Sequence, residues 1–136
     1  MPNLTVTKSN IDKIKNMKDS KTPFVCLIHA IWCGHCVAFK PEWNKFKKSK
    51  YNTADIESSH IDDFKANPIS KKLLPKDGQL YFPMIIISIC GKVYEYKGNR
   101  TSDDMQEFIT SKTEVLKKKV VKPLIKAKPK TKVAKA

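Results

Sequence analysis

The chain has 136 residues, enough for one domain with its own hydrophobic core. Its formal net charge is +14, and residues 112–136 contribute +9 of this, so the basic character belongs mainly to the C-terminal segment. No apolar run has the length of a signal peptide or the roughly 20 residues of a membrane span. We therefore expect no membrane association and a reducing compartment, by default the cytoplasm.

Hydrophobic patterning predicts strands and helices that alternate along the chain. The predicted elements are, in order, a strand over 4–7, a helix ending at Met17, a buried strand over 24–30, a helix kinked at Pro41, a strand over 51–56, a helix over 61–74 interrupted near Pro68, hairpin strands over 84–89 and 93–96, and a last helix that begins at Thr101 or Ser102 and ends by Pro123. This pattern indicates an α/β fold with one sheet covered by helices on both faces.

The predicted domain spans residues 1–119, and a Lys-rich tail follows over 120–136. The tail composition cannot bury enough apolar surface to fold, so we expect it to be disordered. Its lysines predict non-specific contact with the phosphates of nucleic acid, without base reading, because the tail has no aromatic residue or arginine. A tail that only improves solubility or acts as a nuclear address is the alternative.

The segment Cys33-Gly34-His35-Cys36 directly follows the predicted buried strand and opens the next helix. Unpaired N–H groups and the helix dipole stabilise a thiolate at such a position, so Cys33 is predicted to be the nucleophile with a lowered pKa. Cys36 lies one helical turn further on, where it can resolve a mixed disulfide. His35, between them, is expected to favour the Cys33 thiolate.

A structural zinc site is the alternative interpretation of two cysteines at this spacing. It would need two further ligands, but the sequence contains no second C-x-x-C or H-x₃₋₅-H pair. Cys26, His29, His60 and Cys90 would have to be recruited singly, so we expect no metal and no organic cofactor. Cys26 and Cys90 are expected to be buried strand thiols, and a disulfide between them is disfavoured in a reducing compartment.

The segment Trp32–Cys36 resembles the active-site motif of the thioredoxin superfamily, in the form typical of protein disulfide isomerase catalytic domains. Pro41-Glu42-Trp43, Phe82-Pro83 and residues 96–105 extend the resemblance over roughly 4–119. It implies a thioredoxin fold, with a mixed central sheet and helices on both faces. It also implies a redox-active Cys33–Cys36 disulfide and disulfide exchange on protein substrates, with Trp32 and Gly34 as motif residues of the site.

The same resemblance implies a cis peptide bond before Pro83 and pairing of the Phe82 backbone with a bound substrate chain. A trans proline that merely opens a strand is the alternative. Arg100 is similar in position to a mobile arginine of the isomerases that lowers the pKa of the resolving cysteine. A surface charge near a helix start is the other interpretation of this residue.

One position departs from the family pattern. Leu27 stands where the family has a buried carboxylate that accepts the proton of the resolving cysteine. His29 lies on the same strand face as Leu27 and has a pKa suited to proton transfer. Packing alone, in place of the family's aromatic residue, is the other interpretation of His29.

These observations predict a monomeric protein-disulfide oxidoreductase that acts on protein thiols and disulfides. The alternative is a redox-active module tethered by its tail to nucleic acid or an acidic partner, with binding as the main role. The direction of electron flow stays open, because His35 favours an oxidase or isomerase while the expected compartment favours a reductase. Besides the cytoplasm, the virion of a large DNA virus and the nucleus are alternative locations.

Overall fold

A computed structural model describes residues 3–76 and 79–125, with side chains as far as Leu116. Its elements are β1 (Asn3–Thr5), α1 (Lys13–Asp19), β2 (Phe24–His29), α2 (Gly34–Phe46), β3 (Asn52–Glu57), a 3₁₀-helix (Ser58–His60), α3 (Ile61–Ala66), α4 (Ile69–Leu73), β4 (Met84–Ile89), β5 (Lys92–Tyr96) and α5 (Ser102–Ile125). The strands form one mixed sheet in the order β1-β3-β2-β4-β5. β1 and β2 both pair with β3 in parallel, whereas β4 pairs antiparallel with both β2 and β5. This confirms the predicted sheet with its terminal hairpin.

The two faces of the sheet are packed by different helices. α1, α3 and α4 cover one face around Ile14, Phe64 and Ile86. α2 and α5 cover the other face around Trp43, Met105 and the neighbouring side chains. Because successive side chains of a strand point to opposite faces, β4 supplies both cores and all six of its residues are buried. β2 lies in the middle of the sheet and also contributes side chains to both cores, which explains its continuous apolar sequence.

The connection between β4 and β5 corrects one prediction. Cys90 is exposed, not buried in a strand, because it occupies the hairpin turn with Gly91. Their φ angles of 52° and 82° match the two central positions of a type I′ turn, which fits the twist of the flanking strands. Cys26 is buried as predicted and pairs with Ile86, four residues before Cys90, so a strand rise of about 3.4 Å per residue separates the two cysteines far beyond disulfide distance.

Helix α5 begins where the sequence predicts. The Thr101 hydroxyl accepts a hydrogen bond from the Asp104 N–H at 3.1 Å, which makes Thr101 the N-terminal cap. Glu42 of α2 supplies a second cap, since its Oε1 accepts the Ser102 N–H at 2.8 Å. The first turn of α5 is therefore fixed directly to the helix that carries the cysteines.

The C-terminal boundary differs from the prediction. α5 continues past residue 120 and through Pro123 to Ile125, because a proline removes one backbone hydrogen bond and can kink a helix without ending it there. The rest of the predicted tail, residues 126–136, lies outside the described residues. Over the part of the chain that is described, no helix combines the length and the apolar character needed to cross a membrane.

Candidate active site

Cys33 is the N-terminal cap of α2, in extended conformation directly after the central strand. Its Sγ accepts the backbone N–H of Cys36 at 3.4 Å, so the sulfur contacts an otherwise unpaired donor of the first helical turn. Cys33 is partly exposed, whereas Cys36 is buried against the sheet. Both are free thiols in the structure. The two sulfurs therefore have different access to a reaction partner although they lie one turn apart.

The electrostatics separate the two cysteines further. The pKa of Cys33 is lowered, chiefly by its hydrogen bond with the Cys36 side chain, with help from the backbone N–H groups of Cys36 and His35. The pKa of Cys36 is raised to about 11, because burial disfavours its thiolate and Cys33 takes the shared hydrogen bond. Cys33 therefore ionises first, and Cys36 keeps its proton at neutral pH.

Arg100 acts on both sulfurs at long range. Its positive charge lowers the pKa of Cys33 and of Cys36, although it is a smaller cause than the hydrogen bonds and burial. Its side chain is exposed in the loop before α5. Arg100 therefore favours both thiolates electrostatically, and its role as a mobile arginine stays a prediction.

The peptide bond between Phe82 and Pro83 is cis, as the resemblance implies. The Cys33 thiol donates to the Phe82 carbonyl oxygen at 3.5 Å. The rings of Trp32 and Phe82 meet edge to face, with centroids 5.4 Å apart. Trp32 is 70% exposed, and Ile31 and Val37 are exposed as well, so exposed apolar side chains flank the Cys33–Cys36 segment in the chain.

His35 and Gly34 are exposed on the first turn of α2. The His35 backbone N–H favours the Cys33 thiolate. A Cβ on Gly34 would meet no atom within 4 Å, so space does not require a glycine at this position.

A cavity of about 490 Å³ lies beneath Cys36, between α2 and the sheet. Leu27 forms part of its wall, and its register partner on β3 is Asp55. Asp55 Oδ2 accepts the Trp43 indole N–H at 3.1 Å and lies 3.8 Å from the Lys47 ammonium. A carboxylate therefore does line this region, but on the strand next to the one where the family carries it.

Glu57, at the end of β3, ties down the loop before Cys33. Its Oε2 accepts the Ile31 N–H at 3.4 Å and the Ser58 hydroxyl at 2.7 Å, and its Oε1 accepts the Ser59 N–H at 3.0 Å. The Ser59 hydroxyl also donates to Oε1, and this hydrogen bond is the largest of those that lower the pKa of Glu57 to about 2. Asp55 and Glu57 are not predicted as site residues, although polar residues at alternate positions of a predicted strand signal that its face borders solvent or a site.

Of the further ligands considered for zinc, His29 and His60 line the cavity with Cys36, whereas Cys26 and Cys90 lie elsewhere. Among the described residues, no group of three or more His, Cys, Asp or Glu side chains is arranged to hold a metal ion. Cys26 is enclosed in the core, where burial raises its pKa to about 12, and Cys90 lies in the distant hairpin turn.

A cysteine pair at the start of the helix after the central strand, opposite a cis proline, defines a protein of the thioredoxin-fold class. A sequence model of the family described as Thioredoxin matches residues 3–111, so the chain belongs to the thioredoxin family. A protein disulfide-isomerase of Medicago sativa is 33% identical over 104 residues, which cover 74% of this chain and 20% of that protein. The chain thus spans about a fifth of the length of this relative.

Solved structures agree with the fold. Fasciola hepatica thioredoxin superposes with a TM-score of 0.56 at 19% identity, covering 82% of this chain and 98% of that one. The J-Trx1 fragment of ERdj5 gives a TM-score of 0.59 at 16% identity, covering 82% of this chain and 52% of the fragment. The chain therefore has the thioredoxin fold, and its relatives support thiol–disulfide oxidoreductase chemistry at the level of the family.

Proposed function

We propose that this protein catalyses thiol–disulfide exchange on protein substrates through Cys33 and Cys36. The observation that carries the proposal is the difference between the two sulfurs. Cys33 is accessible, accepts a helical N–H and has a lowered pKa, while Cys36 is buried with a pKa of about 11. An accessible thiolate beside a buried thiol suits attack followed by resolution.

The reaction proceeds in two exchanges. The Cys33 thiolate attacks one sulfur of a substrate disulfide, that bond breaks, and the departing sulfur leaves as a thiolate. Cys36 then attacks Cys33 Sγ, forming the Cys33–Cys36 disulfide and releasing the second substrate thiolate. The pair is oxidised by two electrons and the substrate disulfide is reduced, and the reverse sequence oxidises a dithiol.

The substrate is proposed to bind along the Phe82–Pro83 segment. In the free protein the Phe82 carbonyl accepts from Cys33 at 3.5 Å, and a substrate backbone N–H can take this acceptor instead. The exposed Trp32, Ile31 and Val37 side chains offer apolar contacts next to the sulfur. A partner with an extended, partly apolar chain around its cysteine fits this surface.

Reduction of insulin disulfides tests the proposal. We expect activity in the wild type, none in Cys33→Ser, and an accumulated mixed disulfide in Cys36→Ser. Cys90→Ser, which changes the exposed thiol in the hairpin turn, is the matched control and should keep full activity. Loss of activity in Cys90→Ser, or retention in Cys33→Ser, would contradict the assignment.

The direction of electron flow is set by the reduction potential of the Cys33–Cys36 pair. A potential near about −270 mV would make the protein a reductase, and one near about −180 mV an oxidase or isomerase. For location, we propose the cytoplasm, with the virion of a large DNA virus or the nucleus as alternatives. The cytoplasm suits a catalytic C-x-x-C pair, because a reducing compartment keeps such thiols reduced.

A further inference from the structure

The proposed exchange leaves one proton to be placed. Cys36 must lose its proton to attack Cys33 Sγ, yet burial and the shared hydrogen bond keep it protonated at neutral pH. A base near Cys36 would remove this obstacle, because proton transfer by a positioned group typically contributes 10²–10⁴-fold to a rate. The side chains that line the cavity together with Cys36 are the candidates for such a base.

Six titratable or charged side chains share this cavity with Cys36. They are His29 of β2, Lys40 and Lys47 of α2, Asp55 and Glu57 of β3, and His60 of the 3₁₀-helix. The two lysines are cations and cannot accept a proton at neutral pH. Glu57 is a poor acceptor because its hydrogen bonds hold its pKa at about 2. Asp55 is already engaged by the Trp43 indole and the Lys47 ammonium.

Two histidines remain, His29 and His60, and His29 is the one that adjoins a hydrogen-bond partner of Cys36. It directly precedes Ala30, whose backbone makes a hydrogen bond that favours the Cys36 thiolate. Its side chain is half-buried at the end of β2 and lines the cavity together with Cys36. Burial lowers the pKa of His29, so its imidazole is neutral at pH 7 and has a nitrogen lone pair available.

The two strands also prepare His29 to carry a positive charge. Glu57 is its register partner on β3, and Asp55 lies two residues earlier on the same face. The charges of Asp55 and Glu57 favour the imidazolium, and those of Lys40 and Lys47 oppose it. The acids lie on the strand beside His29, and Lys47 is paired with Asp55, so the balance on the sheet side favours a transient imidazolium.

We propose that His29 accepts the Cys36 proton across this cavity while Cys36 attacks Cys33, and that Asp55 stabilises the resulting imidazolium. The inference rests on the proposed exchange function and assigns a base to its second step. The Cys36 S–H bond breaks, the S–S bond to Cys33 forms, and the substrate thiolate departs. The imidazolium then returns its proton to water or to the product thiolate, so no further reactant is needed.

Single-turnover kinetics test this assignment. The reduced protein is mixed with an excess of a fluorescent disulfide peptide, and attack and resolution are followed as separate phases. His29→Gln should slow resolution roughly 100-fold at pH 7, the low end of a general base contribution, and leave the attack phase unchanged. His60→Gln, which alters the other cavity histidine, should match the wild type in both phases. Equal slowing of attack and resolution, or a resolution rate within twofold of the wild type, would overturn the proposal.

The pH dependence of the resolution rate provides a second test, which holds even if His29→Gln fails to fold. Its resolution rate should rise with pH through an inflection below 6.5, the ordinary histidine value, and then level off before hydroxide takes over. Asp55→Asn should move this inflection to lower pH, because the imidazolium loses a stabilising charge. A rate proportional to hydroxide from pH 5 to 9 would refute the role of His29. Absence of any exchange would instead refute the proposed function.

Discussion

The residues at positions 27 and 55 decide where a carboxylate lies behind Cys36. The sequence identifies Leu27 as a departure from the family, since strand β2 and the cysteine motif are both recognisable locally. It does not identify Asp55 as its neighbour, because the register of two parallel strands depends on the whole fold and not on adjacent residues. Cys33, Cys36 and Pro83 could be placed from a local motif, whereas the cavity behind Cys36 could not.

Arg100 is expected to tune both sulfurs. Arg100→Gln should raise the pKa of Cys33 and slow its alkylation by iodoacetamide severalfold at pH 7, because a nearby positive charge favours the thiolate. The pH profile of Cys33 alkylation in a Cys36→Ser background measures this directly. Lys97→Gln removes an exposed charge from the same segment and should leave the profile unchanged. Identical profiles for Arg100→Gln and the parent would leave Arg100 as a surface charge only.

An acid at position 27 should destabilise the fold of this chain. Leu27 is 4% exposed and its register partner is Asp55, so Leu27→Asp places a second carboxylate in a buried site. We expect a loss of about 3–5 kcal/mol in the free energy of unfolding at pH 7. Leu27→Met, which keeps the volume, should cost less than about 1.5 kcal/mol. Urea unfolding measures both, and equal stability of the two variants would contradict this account.

At the scale of elements, one carboxylate links α2 to α5 by a hydrogen bond that adds to their shared apolar contacts. The sequence predicts the start of α5 at Thr101 or Ser102 but not the role of Glu42, because Glu42 lies 60 positions before Ser102 and no local pattern links the two. The sequence predicts the hairpin of β4 and β5 correctly but not the exposure of Cys90. A cysteine with positive φ is uncommon, so the residue type gives no sign of an exposed turn position.

Glu42→Gln should lower the urea midpoint, since the Ser102 N–H then meets a neutral acceptor. That N–H is the main reason why the pKa of Glu42 is lowered, so the stabilisation is complete above the usual value of 4.5 and is lost as pH falls through the folded value. The difference between wild type and variant should therefore shrink below pH 4.5. Glu107→Gln, an exposed position on α5, is the control, and a gap that widens in acid would refute the assignment.

At the scale of the whole molecule, the chain joins a thioredoxin-family domain to a strongly basic end. The described helix α5 runs to Ile125, so a truncation that respects it removes residues 126–136 and five lysines. Lysine contacts to phosphate weaken as salt rises, with a slope of about 0.9 per contact in logarithmic terms. A test of nucleic-acid binding can therefore be separated from the redox chemistry without cutting the helix.

We expect the truncated protein to reduce insulin at the wild-type rate and to elute from a duplex DNA column at lower salt. Its apparent affinity should also depend less steeply on salt than that of the full chain. A variant with the five tail lysines changed to glutamine keeps the length and serves as the control. Unchanged DNA retention would end the tethering alternative, and lost insulin reduction would show that the tail contributes to the redox site.

The hydrogen bond from Ser102 to Glu42 also restricts which residues can stand at these two positions. Ser102 donates its backbone N–H to Glu42, and its buried hydroxyl accepts a hydrogen bond from the Gln106 side-chain amide at 3.0 Å, so both positions are constrained. Position 42 needs a side chain with an oxygen at the reach of a glutamate. Arg100 stands two residues before that anchor. Loss of the carboxylate at position 42 should therefore disturb the segment that carries Arg100 as well as the stability of the fold.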